Sequence, residues 1–290
     1  EIPLRLVGSE MCIRDRKNTV QETLIIPLYA RKVCSELYPN LYQDETAVRL
    51  IDEINYDFSE AEKNSRGLMQ RFGSLEVAMR QNDLAFEVRD YLKSHPNAAV
   101  VNLGCGLDST GRSCDNGSCK IYNLDFPDVI AVRNELLPTG EREENIPCDL
   151  NNTEWFRKID SSNGAVFFAS GVFYYFLTEQ VKALVQGMAD AFPGGELVFD
   201  AANRAAVKMI AKTWLKSAKI RDVGAYFAVS DAPKEIGAWD SRLQVTSRGY
   251  MLGYNDLKDP SVSRFFRFLA KVGDGMMKMQ IVKIRFGGKQ

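Results

Sequence analysis

The chain has 290 residues, of which 45% are hydrophobic and 26% charged, and its formal net charge is −1. That balance is ordinary for a globular protein and supplies no field to draw the chain to nucleic acid or to an anionic membrane. No run of about 18 apolar residues marks a transmembrane helix.

Six cysteines without a recognisable secretory leader read as reduced thiols, so a cytoplasmic location is expected. Cys114 and Cys119 have no second ligand pair, and no metal site is expected. The single histidine, His95, stands beside Pro96 where a turn is expected. It leaves no multi-histidine metal site and no serine triad unless His95 itself serves.

In chain order, residues 1–16 carry no clean period, resemble sequencing-adapter read-through, and are expected to be a non-native leader. Residues 17–290 read as one domain. Its first part, 17–95, is an N-terminal helical region in which Asp44 can cap a helix through Ile51. Leu75 to Leu92 forms a second helix, with Ala78, Ala85, Val88 and Leu92 on one face and Arg80 off the centre of that stripe.

Residues 96–204 form the core. Ala98–Leu103 and Ser118–Leu124 are apolar strands, and Pro127 opens a helix to Leu137. A short helix over Thr153–Ile159 precedes a strand at Ala165–Ala169. Thr178 caps a helix with Val181, Leu184, Val185, Met188 and Phe192 inward, and Gly194-Gly195 stops it. Glu196–Ala201 is the next strand. Residues 205–275 read as a lid or substrate insertion with helices at Ala205–Ser217 and Pro260–Val272, and 276–290 hold a final strand at Met279–Phe286. This alternation predicts an α/β fold with a mainly parallel sheet covered on both faces.

The chemistry-bearing stretch is Val100-Val101-Asn102-Leu103-Gly104-Cys105-Gly106-Leu107-Asp108, followed by Tyr122-Asn123-Leu124-Asp125. Gly104 and Gly106 let the backbone approach a ligand where a Cβ would clash. Asp125, nineteen residues after the second glycine, ends the next strand and is placed to accept from both hydroxyls of a ribose. The third glycine of a dinucleotide fingerprint is replaced by Ser109, and Asp108 would repel a phosphate. S-adenosylmethionine has an amine and a sulfonium and no phosphate, so it fits better than NAD. A nicotinamide-dependent oxidoreductase with an atypical turn remains the rival.

Four further segments extend the pattern: Gly171-Val-Phe-Tyr-Tyr-Phe176, Phe192-Pro-Gly-Gly-Glu-Leu-Val-Phe-Asp200, Thr23-Leu-Ile-Ile-Pro-Leu-Tyr-Ala-Arg31 and Asp44-Glu-Thr-Ala47. Together with the glycine loop and Asn123–Val129 they resemble the leucine carboxyl methyltransferase family, in its bacterial polyketide O-methyltransferase-like (tetracenomycin-type) branch. The resemblance runs from about Thr19 to Gln290. It implies a class I, Rossmann-like methyltransferase fold with a seven-stranded sheet, an N-terminal helical cap and S-adenosylmethionine as methyl donor.

It also implies roles. Arg80 meets the donor's carboxylate, with Arg31 a second basic position near that end. Gly104 lines the methionine moiety, and Asp149 with Leu150 forms the adenine-side pair. Asp149 reads equally well as an N-cap, and Tyr174 and Tyr175 as core aromatics. Many members of the family carry a glutamate beside the donor's amine, where this chain has Ser170. A hydroxyl there can accept a hydrogen bond but cannot neutralise a cation, which admits a non-catalytic donor-binding relative as an alternative.

Methyl transfer from a sulfonium is a displacement that rewards alignment of the reacting atoms. No general base can be named in this sequence, which favours an acceptor already ionised: a carboxylate or an acidic hydroxyl of a small molecule, such as a polyketide. A protein C-terminus is another conceivable acceptor, and the oligomeric state is left open. Tyr174, Tyr226 and Trp239, with Tyr250, are the aromatics expected against a planar acceptor.

Overall fold

The computed structural model describes residues 20–54, 58–59, 62–63, 67–210 and 226–288. The leader 1–16 lies outside them, as does the part of the Ala205–Ser217 helix beyond residue 210. Among the described residues, no helix is long and apolar enough to cross a membrane.

The helices are α1 (Val20–Leu37), α2 (Glu45–Glu53), α3 (Leu68–Ser94), α4 (Thr110–Ser113), α5 (Pro127–Leu136), α6 (Thr178–Ala191), α7 (Arg204–Ile210), α8 (Ala232–Glu235) and α9 (Arg264–Met276). The strands are β1 (Ala99–Leu103), β2 (Lys120–Asp125), β3 (Glu143–Pro147), β4 (Ala165–Ala169), β5 (Glu196–Ala201), β6 (Leu243–Gly249) and β7 (Gln280–Phe286). They form one seven-stranded sheet in the order β3-β2-β1-β4-β5-β7-β6. β1 to β5 run parallel, and β7 is antiparallel to both neighbours. The expected fold class is thus the observed one.

β1 and β4 are buried along their entire length, because both faces are covered. Alternate residues point to opposite layers: Val101, Leu103 and Phe167 pack with α6, whereas Val100, Val166 and Phe168 pack with Ala85 and Val88 of α3. α1 and α2 close over the glycine loop, where Leu28, Leu50 and Ile51 surround Leu107.

Caps fall close to where the sequence puts them. The Asp44 carboxylate accepts the Ala47 N–H at 2.8 Å, and α2 begins there. Pro127 opens α5. Two corrections follow at other ends. Thr178 lies inside α6, whose N-cap is Leu177, and the Gln180 side chain accepts the Leu177 N–H at 2.8 Å. The 3₁₀ turn Thr153–Lys158 is capped by Asn152 rather than Asp149.

The segment read as a lid contributes structure to the sheet itself. β6 forms an edge, and the turn after it is fastened to α3 and α9 by acids. Asp83 accepts the Met251 N–H at 2.9 Å, Asp274 accepts the Leu252 N–H at 3.2 Å, and the Tyr254 hydroxyl donates to Glu87 at 2.6 Å. Met251 stands at φ 72°, a conformation that a non-glycine residue adopts only when its surroundings enforce it.

Burial pushes the Asp83 carboxyl up to about 7, against the opposing Met251 hydrogen bond. The folded value is thus above the ordinary 3.8, so the folded chain holds this proton longer than the unfolded chain. The contribution of Asp83 to stability should fall as pH rises from about 4 to about 7 and level off above that. In Asp83→Asn this proton is absent. The variant should lose less stability over that window than the wild type, by on the order of 2–4 kcal/mol. Urea unfolding at several pH values checks this; identical pH slopes would contradict it.

Candidate functional site

The carboxyl ends of β1, β2, β4 and β5 converge on one rim, the place where open α/β sheets carry ligands. β1 delivers the glycine loop. Gly104 and Gly106 have φ of 66° and 46°, and a Cβ on Gly104 would lie 2.6 Å from a Val172 methyl. Here glycine is required both by conformation and by space.

The loop is held from behind by two buried arginines. Arg133 Nη1 donates to the carbonyls of Gly106 at 2.9 Å and Asp108 at 2.7 Å, while its Nε reaches Asn145 at 3.2 Å. Arg31 Nη2 donates to the Leu107 carbonyl at 3.0 Å, and its Nε to Asp44 at 2.8 Å. Arg31, expected at the donor's end, is therefore engaged in fixing the loop and α2. Asp108 faces inward. Its oxygens accept from Asn102 at 3.1 Å and from the Thr110 N–H at 2.8 Å.

Asp125 ends β2 beside this loop. One carboxylate oxygen accepts the Gly106 N–H and the other the Phe126 N–H, both at 2.8 Å. Burial raises its carboxyl above the ordinary value despite those two bonds. Each oxygen has a second lone pair, so a vicinal diol can still be accepted. Next door, the Cys148 N–H donates to the Asp125 carbonyl at 2.8 Å. Leu150 is buried, and exposed Asp149 accepts from the Asn151 N–H at 2.9 Å.

The far side of the rim is ionic. Arg80, from α3, is not a solvated surface residue: its side chain is 14% exposed and pairs with Asp200 Oδ2 at 3.1 Å. Asp200 Oδ1 also accepts the Gly171 N–H at 2.6 Å. Gly171, at φ 69°, is pressed against the guanidinium, which would stand 3.1 Å from a Cβ there. Tyr174 and Tyr250 lie beside this pair, and burial holds both phenols well above their ordinary value. Burial also pushes Glu76, one turn before Arg80, up to about 8. Two buried polar atoms on this wall, Arg80 Nε and Ser170 Oγ, have no hydrogen-bond partner.

Other aromatics scatter. Tyr226 is half exposed and its N–H donates to the Tyr174 carbonyl at 2.7 Å, which keeps it near the rim. Trp239 is elsewhere. It packs near Phe227, and its carbonyl accepts from Gln186 of α6 at 2.9 Å, on the opposite layer from Arg80. His95 ends α3 and stacks on Tyr91 at 4.3 Å, as a turn residue should. A separate groove of about 410 Å³ between α3 and β6–β7 is polar, but two of its cations are already matched: Lys283 with Glu87 and Arg285 with Glu196.

The residues suit S-adenosylmethionine. The glycine loop admits close approach, Asp125 is placed for a ribose, and the two unpartnered atoms are an acceptor and a donor beside a buried ion pair. Arg133, Asp200, Glu76 and Tyr250 complete the rim; Asp200 closes the Phe192–Asp200 motif and Tyr250 is an expected aromatic, whereas Arg133 and Glu76 lie outside the motifs. The signal for Arg133 was its place on α5 beside buried Val129 and Ile130, where an apolar residue would be ordinary.

This is a class I methyltransferase fold. Known structures share it. A protein from Thermobifida fusca, assigned as a methyltransferase, superposes with a TM-score of 0.55 at 18% identity, over 89% of this chain and 94% of that one. A DUF574 family protein from Streptomyces avermitilis gives 0.57 at 11% identity, over 90% and 97%. In sequence, the tetracenomycin polyketide synthesis O-methyltransferase TcmP of Streptomyces glaucescens is 27% identical over 187 residues, 64% of this chain and 67% of that one. The leucine carboxyl methyltransferase family model matches residues 26–189. The chain belongs to the leucine carboxyl methyltransferase family and is an S-adenosylmethionine-dependent O-methyltransferase.

The loop clamp predicts a stability effect. Arg133 is 1% exposed and faces Glu143 at 3.5 Å as well as the two carbonyls. Arg133→Ala strands all of them and should cost about 3–5 kcal/mol. Arg133→Lys should recover only part, because an ammonium lacks the planar fork. Chemical denaturation reads this directly; a loss below about 1 kcal/mol in the alanine variant would remove the clamp from the account.

Proposed function

We propose that the rim binds the donor with its ribose on Asp125, its methionine end between Gly104 and Arg80, and its adenine toward Leu150 and Asp149, and that the acceptor is a carboxylate or an acidic hydroxyl of a small molecule. S-adenosylmethionine supplies, when bound, an electrophilic methyl group on a sulfonium. The chain's own task is positioning. Arg133 and Arg31 hold the glycine loop against Asp125. α3 presents Arg80 to the rim, and buried Tyr174 with half-exposed Tyr226 borders the space beyond it.

The observation that carries the acceptor reading is that the polar groups of that wall are buried or already engaged with one another. Asp200 is occupied by Arg80 and Gly171, burial holds the Tyr174 and Tyr250 phenols well above their ordinary value, and burial pushes the Glu76 carboxyl up to about 8. No imidazole is near. The wall offers no ready base, so it favours an acceptor that arrives ionised. Carboxylic acids do, with ordinary pKa values around 4, whereas a simple phenol near 10 does not. The polyketide synthesis in which the Streptomyces relative is named as an O-methyltransferase is consistent with an acceptor of this class.

Two experiments test the reading. Asp125→Ala should weaken S-adenosylmethionine by about 1.5–3 kcal/mol in calorimetry, the range for hydrogen bonds to a charged group. Unchanged affinity in a folded variant would remove the ribose from Asp125. Separately, the protein should release S-adenosylhomocysteine with a panel of aromatic carboxylates and acidic phenols, at a rate that is flat between about pH 6 and 8. Turnover of simple phenols alone, rising toward their pKa, would instead point to a base on this wall.

A further inference from the structure

We propose that Asp200 receives the amino group of the donor in this chain, and that before the donor arrives it holds Arg80 in the place of the donor's carboxylate. The inference rests on the donor reading above and extends it to the one charge that reading leaves unmatched. The donor's methionine end is a zwitterion. Arg80 answers its carboxylate, but Ser170, on the same wall, is neutral.

Asp200 is the buried anion within reach. It is the penultimate residue of β5, its side chain is 1% exposed, and it spans the wall from Gly171 to Arg80 through its two oxygens at 2.6 and 3.1 Å. The guanidinium lies on Gly171, so cation and anion flank the same glycine. The unpartnered atoms are a donor on Arg80, its Nε, and the hydroxyl of Ser170, the residue before Gly171. A carboxylate accepts from the first. An ammonium donates to the second and to the face of Asp200 that Arg80 gives up.

Charge balance favours this arrangement. The Arg80–Asp200 pair is buried and neutral as a unit. A lone anion docking on Arg80 would leave Asp200 uncompensated in a low-dielectric wall, which is costly. A zwitterion adds one charge of each sign. The result is an alternating array of Asp200, ligand ammonium, ligand carboxylate and Arg80, in which no charge is left single. The wall therefore selects an amino-acid head group over a simple carboxylate.

The test separates the head group from the nucleoside. Wild type and Asp200→Asn are titrated calorimetrically with S-adenosylhomocysteine, with its deamino analogue and with 5′-methylthioadenosine, which lacks the amino-acid end. The variant should bind S-adenosylhomocysteine about tenfold or more weakly, 5′-methylthioadenosine unchanged, and the deamino analogue as well as wild type or better. Adding Ser170→Glu to the variant should restore S-adenosylhomocysteine binding by moving the carboxylate to the neighbouring strand end.

Equal weakening of S-adenosylhomocysteine and its deamino analogue would overturn the proposal and reduce Asp200 to a support for Arg80. Failure of the wild type to bind 5′-methylthioadenosine and S-adenosylhomocysteine alike would instead overturn the donor reading, and this proposal with it. If the variant does not fold, the wild-type complex with S-adenosylhomocysteine decides: Asp200 within hydrogen-bond distance of the amine is expected. An amine facing Ser170 alone, with Arg80 still on Asp200, rejects it.

Discussion

The rim depends on the way two buried arginines hold the backbone of the glycine loop. Three successive carbonyls, those of Gly106, Leu107 and Asp108, point back into the protein and are taken by Arg133 and Arg31. Left unsatisfied in the interior, such groups would each cost about 1–3 kcal/mol. A guanidinium meets two of them at once because its donors are forked and rigid. The consequence reaches the ligand side. With the carbonyls fixed inward, the Gly106 N–H is turned to Asp125, and the loop and the acid at the end of β2 become one unit. The same arginines tie in α2 through Asp44 and the β3 edge through Glu143 and Asn145. The N-terminal helices are therefore braces of the glycine loop as well as its cover.

Much of the fold could be read from the chain because five of the strands are apolar runs between clear turns. β1, β4 and β5 are buried throughout and announce themselves. The two strands that escaped are the edges. β3 reads Glu-Glu-Asn-Ile-Pro and β6 Leu-Gln-Val-Thr-Ser-Arg-Gly. Each has a single neighbour and is half solvated, so its composition is that of a loop. Missing β6 turned a piece of the sheet into an apparent insertion.

The site divides in the same way. Gly104, Gly106 and Asp125 lie within one strand–loop–strand motif, and their geometry is local enough to follow from spacing. Arg80 was found through resemblance, but its partner was not, because Asp200 is 120 residues away and no periodicity links the two. Trp239 and Tyr250 were equal candidates as single aromatics. Only the fold separates them, placing Tyr250 beside Arg80 and Trp239 on the α6 layer. Arg31 follows the same rule: its place in the motif does not reveal that its donors are committed to the protein's own acceptors, Asp44 and the Leu107 carbonyl.

The sequence of α3 also carries a polar stripe. Glu76, Arg80, Asp83 and Glu87 stand at i, i+4, i+7 and i+11 on α3, the spacing of a single helical face. Such a stripe is ordinarily solvated. Here the C-terminal third of the chain packs over it. Asp83 and Glu87 fasten the turn after β6, while Arg80 faces the donor wall. Tyr250, in that turn, is thereby set against Arg80 and Glu76. One rigid helix thus fixes the cation of the proposed donor site and the phenol beside it. In the proposed reading, this rigid helix is what aligns donor and acceptor, a large source of rate in a displacement. The polar stripe is the cost of that arrangement. Burial raises the proton affinity of two of its acids, Glu76 and Asp83. The stability of the C-terminal third is accordingly coupled to the Asp83 proton.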